Sequence, residues 1–161
     1  MRGDLLAVGL VGLAAVAGAR PRGGAAVRRV VKTLPAGTVV YHGTASEVEF
    51  TSLRGPAWVT TRRAVAQWFA SEWHGYGRRR ILRFRLRAPV RLQLIPDLDT
   101  LELVSENLGV WGGSEEISSA FCARGGVHGW IVPDNYGPMQ DDILLCDTSV
   151  LELLDIEPLE G

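Results

Sequence analysis

The sequence predicts an α+β domain preceded by an apolar N-terminal segment. Three observations lead there. The stretch "ILRFRLRAPV" alternates apolar and charged residues, the period of a half-buried strand. "TTRRAVAQWFASEW" switches to helical spacing, and "SEEISSAFCARGG" carries the cap, acidic first turn and glycine stop of a helix. Short connectors rich in Gly and Pro separate such stretches, and no segment repeats. At 161 residues the chain has the length of one domain, since domains commonly run about 100–200 residues.

The first element is "LLAVGLVGLAAVAGA" (5–19), fifteen residues without a charge. As a helix it would reach about 22 Å, short of a hydrocarbon core of about 30 Å. Ala17-Gly18-Ala19 fits a small-residue cleavage site, but Arg2 is offset by Asp4 and the basic residues come after the apolar run. Anchor, signal-like leader and packed apolar helix all stay open. Residues 1–25 are therefore set apart from a domain spanning 26–161, and a cytoplasmic or membrane-associated chain is expected over a secreted one.

Within the domain, "GTVVYHG" and "GPAWVTT" read as short strands, the second on the strength of Trp58 and Val59. In the helix that follows, Ala64, Val65, Trp68 and Phe69 share a face, with Thr60 or Thr61 as N-cap. "HGYGRRR" is a turn. In the alternating strand Leu82, Phe84 and Leu86 point one way and Arg83, Arg85 and Arg87 the other. "RLQLI" is a short strand. "DLDTLELVSENLG" places Leu98, Leu101, Val104 and Leu108 in helical register. In "SEEISSAFCARGG", Ser114 is the expected cap, Glu115 and Glu116 suit the first turn, and Gly125 supplies the stop. "GWIVPD", "DDILLCD" and "SVLELLDIEPL" complete the strands, with "NYGPMQ" as a turn between the first two.

The net charge of −1 conceals an asymmetry. Residues 54–91 carry ten arginines against Glu72, and residues 92–161 carry fourteen acids against Arg124. The halves either show opposite faces or neutralise each other, and the balanced total argues against bulk nucleic-acid binding. Cys122 and Cys146 form no framework or metal motif and read as reduced packing residues, able to pair if the chain is exported. His42, His74 and His128 lack metal-ligand spacing, and His128, between glycines, reads as structural. There is no nucleophile elbow, phosphate loop or dinucleotide fingerprint.

One spaced set remains. His42 ends a strand, Trp58 and Phe69 lie on a strand and the helix after it, and Asp141-Asp142 opens an apolar strand where Asp is a poor former. "VVYHGT", "AWVTTRRAVAQWF" and "DILLCDTSVLELL" resemble, in order and spacing, the three motifs of the ADP-ribosyltransferase superfamily. The resemblance is to the branch of diphtheria-type toxins and poly(ADP-ribose) polymerases, and it covers residues 39–154, about three quarters of the chain.

That resemblance implies a split β-sandwich with flanking helices and NAD bound as substrate between two small sheets. His42 would hold the adenosine-side ribose, with Thr44 beside it, and the Gly43 backbone would meet the nicotinamide carboxamide, where a residue lacking Cβ allows close approach. Trp58 and Phe69 would sandwich the cationic nicotinamide. Asp142 would stabilise an oxocarbenium-like transition state, as carboxylates do in glycoside hydrolysis. Asn135 and Tyr136 fall where the superfamily often contacts its acceptor. Two positions depart from the family: Trp58 replaces the triad tyrosine and Asp142 the glutamate. The expected activity is mono-ADP-ribosyl transfer to a protein or nucleic-acid acceptor. A degenerate binding or structural member, tethered through residues 5–19, is the alternative. An RNA 2′-phosphotransferase-like enzyme is a third, supported by the basic stripe.

Overall fold

The computed structural model describes residues 29–47, 50–72 and 77–160. The apolar segment, the Gly23-Gly24 linker, Trp73 and residues 74–76 of the "HGYGRRR" turn lie outside them. The described chain is mixed α+β. In order it runs β1 (Val31–Leu34), β2 (Val39–Ser46), β3 (Ala57–Val59), α1 (Arg63–Glu72), β4 (Arg78–Leu86) and β5 (Val90–Leu94). Then come α2 (Leu98–Leu108), α3 (Ser114–Arg124), β6 (Gly129–Val132), β7 (Asp142–Leu145) and β8 (Leu151–Pro158).

The strands form two sheets, a five-stranded one in the order β1-β5-β6-β7-β3 and a three-stranded one in the order β2-β4-β8. All pairs are antiparallel except β5 with β6. Parallel neighbours need a crossover, and α2 with α3 provides it. The inner faces meet across one core: Val40, Leu82, Phe84 and Leu86 from the small sheet oppose Val59, Leu92, Ile131, Ile143 and Leu145 from the large one. A second core fills the outer face of the large sheet, where Trp130 and Leu144 pack with Val104 of α2 and Phe121 of α3. No described helix is long and apolar enough to cross a membrane.

The strand alternation in β4 holds for Leu82, Phe84 and Leu86, all buried. Its arginine face is neutralised by β8: Arg83 pairs with Asp155 at 2.8 Å and Arg85 with Glu152 at 2.9 Å. The basic and acidic halves thus meet strand against strand. His128 is a structural residue, its Nδ1 accepting the Arg91 N–H at 2.8 Å.

Several expectations are corrected. β1 was hidden inside a basic stretch and pairs with β5 along an edge. The buried face of α1 is Val65, Ala66 and Ala70, while Ala64 and Trp68 are exposed, because the helix packs its small residues on β2. Thr60 and Thr61 do not cap α1 at its first residue. Arg62 takes that place, its carbonyl accepting from the Val65 and Ala66 N–H groups. Leu98 is 69 % exposed, on the first turn of α2 where only Asp97 caps. Gly113, not Ser114, precedes α3, so Ser114 is its first helical residue.

Cys122 and Cys146 are joined in a disulfide with a Cα–Cα distance of 5.4 Å, not held as two thiols. They lie 24 residues apart with no motif between them. Only the seating of α3 across the outer face brings Cys122 over the end of β7.

Candidate active site

Backbone hydrogen bonds join the two sheets where β2 passes the end of β3. Tyr41 of β2 and Thr60, just past β3, exchange backbone hydrogen bonds of 2.7 and 3.0 Å. A cavity of about 50 Å³ lies at this junction, lined by residues that include His42, Gly43, Trp58, Phe69 and Asp142. Five of the six residues singled out from the sequence therefore converge. Thr44 does not line it; it lies further along β2, opposite Arg80. Tyr41, Thr60 and Ala66 also line the cavity, and nothing in their residue types marked them beforehand.

His42 points into the sandwich, in register with Leu82. Its Nδ1 lies 2.8 Å from the Trp58 carbonyl. A carbonyl only accepts, so Nδ1 carries the ring proton and Nε2 is left as an acceptor. Burial lowers the imidazole pKa, outweighing the bond to Trp58, so the ring is neutral. A neutral acceptor of fixed tautomer suits a sugar hydroxyl. His42 and Trp58 also border a second, larger cavity of about 430 Å³, walled by Phe50, Leu53, Arg54 and Pro56.

Gly43 is required by the packing of α1 on β2, whether or not a ligand approaches it. A Cβ there would run into the Ala66 carbonyl of α1. The glycine lets helix and strand touch, and so sets the cavity's floor.

The aromatic residues are arranged differently from a Trp58/Phe69 sandwich. Trp58 packs edge-on against Trp130 at 5.6 Å. Phe69 instead meets Tyr136 at 5.3 Å, nearly perpendicular, and Trp68 at 5.1 Å. Both still border the same cavity.

The two adjacent carboxylates differ. Asp141 is buried, with Oδ1 accepting from the Thr60 hydroxyl at 2.7 Å and the Thr61 N–H at 2.8 Å, and Oδ2 from the Thr61 hydroxyl. It ties β7 to the start of α1. Asp142 faces the cavity, and its Oδ2 accepts from the Tyr136 hydroxyl at 3.0 Å and the Asn135 amide at 3.3 Å. Burial pushes its pKa up to about 6, with Asp141 adding to the rise and both side-chain bonds opposing it. At neutral pH it is chiefly ionised, a desolvated negative charge at a cavity wall.

No protein-family model and no curated protein matches this chain.

Proposed function

We propose that the cavity is the nicotinamide end of an NAD site and that the protein is a mono-ADP-ribosyltransferase, passing ADP-ribose to a protein or nucleic-acid acceptor. The observation that carries the reading is the meeting of a neutral His42 and a desolvated Asp142 at one small cavity, from strands more than 90 residues apart in sequence.

The chemistry follows from the parts. Cleaving the bond between nicotinamide and ribose builds positive charge on the sugar, and an ionised carboxylate in a site of low polarity stabilises it most. Asp142 has that charge and setting. His42 Nε2 would accept a ribose hydroxyl, and Phe69 and Trp58 supply ring faces for the cationic base. The larger cavity beyond His42, with Arg54 on its wall, has the size and charge for the rest of the dinucleotide; ligand pockets commonly run about 300–1,000 Å³.

A second reading, a binding protein without turnover, is favoured by the turn of Trp58 towards Trp130 and by the small size of the inner cavity. Incubation with labelled NAD and a cell extract separates the two. Transfer of label to an acceptor by the wild type, lost in Asp142→Ala, supports the enzyme. Equal labelling by that variant contradicts it.

A further inference from the structure

A tyrosine hydroxyl reaches the Asp142 carboxylate from the loop that precedes β7. Tyr136 stands in the loop 134–140, between β6 and β7. Its ring rests on α1, against Phe69 at 5.3 Å and Trp68 at 5.7 Å. Its hydroxyl lies on Asp142. Asn135 donates to the same oxygen.

The loop that presents these donors is tied down. Arg62 Nε donates to the Met139 carbonyl at 3.0 Å, and the Met139 N–H donates to Asp134 at 2.6 Å. The Gln140 N–H donates to the Gly137 carbonyl at 3.0 Å. Such a loop holds its side chains in place before any ligand arrives, which is what positioning demands.

We propose that Tyr136 and Asn135 are positioning residues that clamp Asp142. The aspartate side chain is one methylene shorter than glutamate, and the clamp fixes where its carboxylate stands at the cavity wall. The catalytic consequence rests on the NAD reading; the clamp itself can be read without it. Among the described residues, the other titratable groups at or beside this cavity are Asp141, which raises the Asp142 pKa, Tyr41 on its wall, and His42, neutral across it.

The test is Tyr136→Phe in the full chain, which keeps the ring and removes one bond. Asp142 is followed by carboxyl NMR titration. Its midpoint moves up in the variant, since a bond favouring the ionised form is gone. Turnover of NAD to free nicotinamide falls roughly tenfold to a hundredfold with KM little changed, as for a lost bond to a charged group. The pH midpoint of turnover moves up with the carboxyl. Asn135→Ala gives a smaller shift in the same direction and serves if Tyr136→Phe fails to fold. An Asp142 midpoint unmoved in folded Tyr136→Phe overturns the clamp. A midpoint that moves, in a protein that neither binds NAD nor releases nicotinamide, upholds the clamp and rejects the NAD reading.

Discussion

Asp141 and Asp142 are adjacent, and their surroundings are opposite. Asp141 is buried with three donors on its two oxygens, all from Thr60 and Thr61. Asp142 meets two donors from a loop and borders an open cavity, and burial raises its pKa to about 6. A carboxylate surrounded by donors stabilises a fold. One left short of donors costs stability and keeps a charge available for chemistry. The difference comes from strand geometry: successive side chains alternate, so one carboxylate must turn to α1 and the other to the cavity.

The largest effect expected follows from breaking the first. Asp141→Ala strands two threonine hydroxyls and a backbone N–H, and should destabilise the protein by roughly 3–4 kcal/mol in denaturant unfolding. A loss below about 1 kcal/mol would mean that the β7–α1 tie is not held by this carboxylate.

The other end of β7 is held by the disulfide. Reduction releases a cross-link across 24 residues and should cost about 3 kcal/mol, read as a lower midpoint in reducing urea titrations.

Asp142→Asn should act in the reverse sense. Native Asp142 binds its proton more tightly than the unfolded chain, whose value is near 3.8. Its contribution is therefore lost as pH rises from about 4 to 6, by on the order of 2–3 kcal/mol. The asparagine variant should be the more stable protein at pH 8, its advantage shrinking towards pH 4, while nicotinamide release is abolished. Equal stability across that range would show that the carboxylate is not desolvated.

The smallest effect belongs to the surface pairs. Arg83→Ala removes a partner of Asp155 where both are about half exposed, and should cost no more than about 1 kcal/mol, less in high salt.

The same contrast explains what could be read from the chain alone. β4 was legible because its side-chain alternation reports a buried face directly, and α3 because its acidic first turn and Gly125 stop mark its ends. His42 and Asp142 could be picked out because each residue type is odd in its place, whereas Trp58 and Phe69 stood out only through the resemblance of their motif. The contacts between them could not. Tyr136 looked like an acceptor contact, and only the path of its loop shows it resting on Phe69 and reaching back to Asp142. The requirement for Gly43 was legible, but the helix carbonyl that also enforces it is revealed by no local pattern. The cysteine pair and β1 depend on partners far along the chain, at Cys146 and β5.

The most direct test of the central claim is calorimetric titration of the full-length protein with NAD, with nicotinamide release followed in the same samples and Asp142→Asn run alongside. The account predicts binding by both proteins and release by the wild type alone. A folded wild type that neither binds NAD nor releases nicotinamide would contradict it.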